Sequence, residues 1–166
     1  MENNDLLSGK KLLIVDDEPD VLDTLKEMLY MCDISLALSF DEAKELIESQ
    51  HYDLAILDIA GVNGYKLLEI ANKHKIICVM LTANALTPHN LMRAYQEGAA
   101  SFIPKDKMVD IQIFLNDILE AKEKGKSFWW RWLTRLSYSY WENKFGAADL
   151  RDIDKEFWEK LACYDL

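Results

Sequence analysis

Five short apolar runs punctuate residues 1–125, and between them apolar positions recur at three- and four-residue intervals. The runs cover 11–15, 34–38, 54–57, 76–81 and 99–103. The run at 54–57 is apolar throughout, as expected of a strand covered on both faces. After the first run Val21, Leu22, Leu25, Met28 and Leu29 mark one helical face. Ala43, Leu46 and Ile47 mark the next, then Leu67, Leu68, Ile70 and Ala71, and last Ile111, Leu115, Ile118 and Leu119. Strands alternating with helices predict βα units. The expected fold is α/β, a five-stranded parallel sheet with helices on both faces.

Local signals place the boundaries. Pro19 sits just inside a helix start, Ser39 and Glu42 form a capping-box pattern, and Thr87-Pro88 reads as a cap followed by a first-turn proline. Gly61 and Gly64 lie in the loop before the third helix, Gly98 ends the fourth, and the fifth spans 109–123. The domain is expected to close near Gly125, giving units of 1–125 and 126–166.

The second unit differs in composition. All five tryptophans lie there (Trp129, Trp130, Trp132, Trp141, Trp158). Phe128, Trp132, Leu136 and Tyr140 step by four, predicting an amphipathic helix over 127–145 ended by Gly146. Asp149 or Asp152 then caps a helix bearing Ile153, Phe157, Trp158 and Leu161, so 126–166 is expected to be a helical hairpin.

With 166 residues the chain builds one full core and a small appendage. It has no apolar run of membrane-spanning length, and residues 1–10 lack signal-peptide architecture. Cys32, Cys78 and Cys163 are odd in number and unclustered, which fits reduced thiols of a cytoplasmic protein. A net charge of −10 argues against nucleic acid as a direct partner. Residues 126–166 hold seven basic and seven acidic side chains, which also disfavours a membrane-surface role.

The chemistry sits where the runs stop. Asp16-Asp17, Asp58, Thr82 and Lys105 each fall at or just past the end of an apolar run. In an open parallel sheet the carboxyl ends of the strands form one rim, where ligands bind. Three carboxylates converging there repel one another unless a cation intervenes. A hard ion with oxygen ligands, Mg²⁺, meets that need.

Residues 10–124 resemble a receiver domain of a two-component response regulator. The matching marks, in order, are Val15-Asp16-Asp17-Glu18, the run Tyr52 to Asp58, Met80-Leu81-Thr82-Ala83, and Phe102 with Lys105. The resemblance implies that Asp58 accepts a phosphoryl group from a phosphohistidine. It further implies Mg²⁺ held by Asp17 and Asp58, by Asp16 mainly through water, and by the Ala60 carbonyl. Thr82 would donate a hydrogen bond to the phosphoryl group, Lys105 would supply a positive charge, and Phe102 would be the switch aromatic. A plain core role for Phe102 stands beside that. Expected partners are a sensor histidine kinase or phosphotransfer protein, and downstream a protein or a second copy. Such a stand-alone regulator performs chemistry only on itself.

Two other classes share some of these residues: a haloacid-dehalogenase-like Mg²⁺ phosphatase and a receiver-like module that is never phosphorylated. The phosphatase family uses an Asp-x-Asp motif after its first strand, where this chain has Asp16-Asp17-Glu18. The intact acidic, Thr and Lys set argues against the third class. Glu18 reads as a first-turn residue suited to the helix dipole, and His51, His74 and His89 as solvated loop residues. Two features depart from the family pattern. The loop after Asp58 is about two residues short and lacks its usual proline, and Pro104 precedes Lys105 where a proline more often follows. The aromatic extension is expected on the fourth- and fifth-helix side, read or released on phosphorylation.

Overall fold

In the computed structural model, which describes residues 5–83 and 87–125, five parallel strands stand in the order β2-β1-β3-β4-β5. They are β1 (Lys11–Val15), β2 (Asp33–Ala37), β3 (Leu54–Asp58), β4 (Ile77–Thr82) and β5 (Ser101–Pro104). Every residue of β3 is buried, whereas β2, at the sheet edge, is mostly half-buried. The unbroken apolar strands thus go to the interior, where helices cover both faces. The helices are α1 (Pro19–Met28), α2 (Phe40–Ser49), α3 (Gly64–Lys73), α4 (Pro88–Gln96) and α5 (Ile111–Glu123).

Right-handed crossovers send β2 to one side of β1 and β3 to the other. That reversal puts α1 and α5 on one face, where the Gln112 amide donates to the Met28 carbonyl. Helices α2, α3 and α4 take the other face, where the Tyr65 hydroxyl donates to the Asn90 carbonyl at 2.9 Å. No helix among the described residues is long and apolar enough to cross a membrane.

The capping signals act as expected, with one variation. Ser39 Oγ accepts from the Glu42 amide at 3.2 Å, and Thr87 Oγ1 accepts from the Asn90 amide at 3.1 Å. Glu42 reaches back to the Leu38 amide, one residue before the cap. Strand β2 begins one residue earlier than its apolar run, and β5 begins two later because Ala99 is still bonded to the end of α4. The fifth helix also starts later than the expected 109: residues Lys105–Asp110 form a 3-10 segment. Its sequence, Lys-Asp-Lys-Met-Val-Asp, has too few apolar positions to hold a helical face on the sheet. Cys78 is buried and Cys32 half-buried, and burial pushes their thiols up to about 12 and about 11, with Asp5 adding to the effect at Cys32. Such thiols are unreactive at neutral pH. Cys163 and the hairpin expected at 126–166 lie outside the described residues.

The loop from β3 to α3 is tight enough to demand glycine. A Cβ on Gly64, the first residue of α3, would run into the Asp58 carbonyl and lie 3.0 Å from Ile59 Cα. Backbone on both sides leaves nothing to yield. Gly64→Ala is therefore expected to destabilise the protein by roughly 2 kcal/mol or more, read as a lower urea midpoint at unchanged slope. A midpoint equal to wild type would show that the loop relaxes freely.

Candidate functional site

Strand register brings the candidate residues to one rim. Val15 pairs with Leu57, Asp58 with Leu81, and Thr82 with Pro104, so Asp16 follows level with Asp58, and Thr82 and Lys105 lie one and two residues further toward the rim. Asp58 and Thr82 are the last residues of their strands and both are buried. Asp16 is fully buried, with its amide bonded to the Ala37 carbonyl of the neighbouring strand. Its Oδ1 accepts from the Glu18 amide at 2.9 Å, which turns the chain out of β1 and into α1.

Lys105 ties three acids together. Its ammonium lies 2.9 Å from Asp16 Oδ2, 3.0 Å from Glu18 Oε1 and 3.6 Å from Asp58 Oδ1. The contact to Asp16 is the shortest of the three, and it joins the ammonium to a carboxylate oxygen shut off from solvent. Burial alone would lower the Lys105 pKa, but Asp16, Glu18 and Asp58 more than offset it and hold the amine above its ordinary value. The proline before Lys105 thus leaves its side chain aimed into the acidic cluster.

Asp17 completes the rim from the exposed side. The loop after β3 passes directly against it. Gly61 is left-handed, at φ +62°, and a Cβ there would collide with the Asp17 carboxylate. The carbonyl of Ala60 accepts from the Val62 amide inside this turn. Phe102 is fully buried on β5, paired with Met80 of β4. His51 is solvent-exposed, 3.5 Å from Asp53, and takes no part in the cluster.

Glu18 has a larger part than its sequence position suggests. One carboxylate oxygen each from Asp16, Asp17 and Glu18 lie within 4.8 Å of one another. A short acidic run ahead of Pro19 was the available signal. Helix-start preference explained it adequately until Lys105, 87 residues further on, was seen to reach back to it.

The donor set suits a hard divalent cation. All its groups are oxygens, and carboxylate oxygens of Asp16, Asp17 and Glu18 already lie close together beside the buried Asp58. The carboxylates also need positive charge. Burial, with the charges of Asp16 and Asp17, pushes the Asp58 carboxyl up to about 6 despite the nearby Lys105.

Residues 12–114 match the response regulator receiver domain family, and the chain belongs to that family. Among curated relatives, the two-component response regulator ARR18 of Arabidopsis thaliana is 30% identical over 103 residues, 58% of this chain and 16% of ARR18. The DNA-binding transcriptional activator EvgA of Escherichia coli K12 is 26% identical over 121 residues, 69% of this chain and 56% of EvgA. This chain therefore spans only part of the length of the curated relatives it matches. Among solved structures, a CheY-like receiver domain protein from Methanospirillum hungatei JF-1 superposes with a TM-score of 0.63 at 29% identity, covering 71% of this chain and 99% of that one.

The raised Asp58 pKa has a consequence for stability. The folded state binds this proton more tightly than the unfolded chain, whose carboxyl titrates near 3.8. Below that value the group contributes nothing. As pH rises from about 4 through about 6 the folded state loses stability from it, on the order of 3 kcal/mol in metal-free buffer. Asp58→Asn removes the charge, so its stability advantage over wild type is expected to widen across that interval in urea titrations. A constant difference from pH 4 to pH 7 would mean that Asp58 ionises without opposition.

Proposed function

We propose that this chain is a phosphorylated signalling switch, in which Asp58 takes a phosphoryl group from the phosphohistidine of a sensor histidine kinase or phosphotransfer protein. The observation that carries the reading is the placement of Lys105, in contact with Asp16 and 3.6 Å from Asp58. An ammonium at that point faces the oxygens of any phosphoryl group arriving on the Asp58 carboxylate.

Phosphoryl transfer asks the protein mostly for positioning and charge neutralisation. An Asp58 oxygen bonds to phosphorus as the phosphorus–nitrogen bond of the donor breaks, and the electron pair leaves on the imidazole. With a pKa of about 6, Asp58 is mainly the nucleophilic carboxylate at neutral pH. Lys105 meets the charge on the transferred oxygens, and Thr82, on the adjacent strand end, donates its hydroxyl hydrogen. Glu18 holds the Lys105 ammonium over the cradle at 3.0 Å. We assign Asp16, Asp17, Asp58 and the Ala60 carbonyl to Mg²⁺, which when bound supplies charge that lets the carboxylates and phosphoryl oxygens approach.

Thr82 and Phe102 are the switch pair in this reading. A phosphoryl group that draws Thr82 toward it favours the packing of the Phe102 ring in the space behind, a population shift between two states. The product is an altered protein-docking surface on the unit 1–125, read by a downstream protein or a second copy in the cytoplasm. The chemistry begins and ends on the chain itself. The charge of −10 supports a protein in preference to a nucleic acid or membrane as its partner. EvgA is by name a DNA-binding activator, and this chain covers 56% of it.

Incubation with Mg²⁺ and a small acyl-phosphate donor should add one labile phosphoryl group by intact mass, with none on Asp58→Asn. Many turnovers of an added phosphoester would instead mark a phosphatase, and no reaction of either kind a silent receiver fold. Gly61→Ala, which forces the Asp17 carboxylate aside and strains a left-handed residue, should raise the Mg²⁺ concentration needed by roughly tenfold and lower stability by about 1 kcal/mol, whereas Asp17→Asn should raise the Mg²⁺ requirement without the backbone strain. An unchanged Mg²⁺ requirement would remove Asp17 from the ligand set.

A further inference from the structure

Four large apolar side chains stand exposed among the described residues: Tyr30 (78%), Val109 (73%), Ile113 (47%) and Leu38 (45%). Two of them meet at one place: Tyr30, just past α1, and Ile113, on α5, line a groove of about 390 Å³. The walls are fixed by hydrogen bonds. The Gln112 amide binds the end of α1, and Asn116 accepts from the Leu6 amide at 2.9 Å while donating to the Gln112 carbonyl at 3.0 Å. The groove is mixed in character: Tyr30, Met31 and Ile113 give it an apolar side, and Asp5, Gln112, Asn116 and Asp117 a polar, acidic one, which suits an occupant that carries both aromatic and basic groups.

We propose that residues 126–166 of this same chain fill the groove between the end of α1 and α5. Three arguments name that occupant. First, α5 forms one wall and the described chain leaves the domain at its end, so the following residues are tethered to the site. Second, reach suffices. From Glu123 back to Ile113 is about 15 Å along the helix, and seven extended residues past Gly125, as far as Trp132, span about 23 Å. Third, the chemistry is complementary. Trp129, Trp130 and Trp132 offer apolar surface, interleaved with Lys126, Arg131 and Arg135 before the first acid at Glu142. The groove carries Asp5 and Asp117 and no basic lining residue, on a unit that holds the whole net charge of −10.

The expected position thereby moves from the fourth-helix side to the α1 side of α5. None of the large exposed apolar residues described lies on α4. The contact does not require phosphorylation and stands apart from the reading of Asp58.

Because all five tryptophans lie in 126–166, tryptophan emission of the full-length protein reports on that segment alone. In wild type the emission should be partly protected from acrylamide, independently of protein concentration. Ile113→Lys and Tyr30→Lys should each shift it to the red and raise quenching roughly twofold, with unchanged far-ultraviolet circular dichroism. Leu38→Lys, equally exposed but away from the groove, should leave it as in wild type. Emission as quenchable as free tryptophan in wild type would overturn the proposal. So would insensitivity to both groove variants, or an equal response to Leu38→Lys. Protection that vanishes on dilution would assign the groove to a second copy and overturn it as well.

Discussion

The rim of this sheet is organised around a charge conflict that only partly resolves. Asp16 and Asp58 are buried side by side with Asp17 at the margin, and one ammonium, that of Lys105, answers them. Removing carboxylates from water raises their energy, and placing them together raises it further. The protein tolerates this because the backbone leaves little choice. Parallel register fixes where each strand ends, and the hydrocarbon of β1, β3 and β4 holds the strands there. Packing energy spread over the whole core thus maintains a local arrangement that is unfavourable by itself. The residual excess of negative charge favours positive charge at the rim.

Most of the fold was legible because its determinants are local. Continuous apolar strands, helical spacing, Ser39, Thr87 and the proline at position 19 act within a few residues, and the elements they specify form with ends shifted by one or two positions. The shifts occur where tertiary bonding decides. Ala99 stays with the end of α4, and 105–110 turns as a 3-10 segment because its side chains cannot anchor a full helix. The convergence of Asp16, Asp58 and Lys105 on the rim could be read from strand ends, as could the place of Thr82 at the end of the adjacent strand. The role of Glu18 could not, since its partner is 87 residues away and the choice between helix cap and ion pair depends on where the Lys105 side chain points.

The glycines of the shortened loop show a second limit of local reasoning. From sequence they read as punctuation before a helix. In the folded chain each has a different neighbour: Gly61 leaves room for the Asp17 carboxylate, and Gly64 for the Asp58 carbonyl. A side chain at either position would occupy space already taken, so the tightness of the turn, not its punctuation, is what demands glycine there.

The contact at Gly64 also has a mechanical consequence. The first turn of α3 rests on the main chain of Asp58, with no side chain between them to act as a cushion. Tyr65, the next residue, is bonded to Asn90 on α4, so a displacement of the main chain at position 58 would meet the starts of α3 and α4 together, with one hydroxyl joining them.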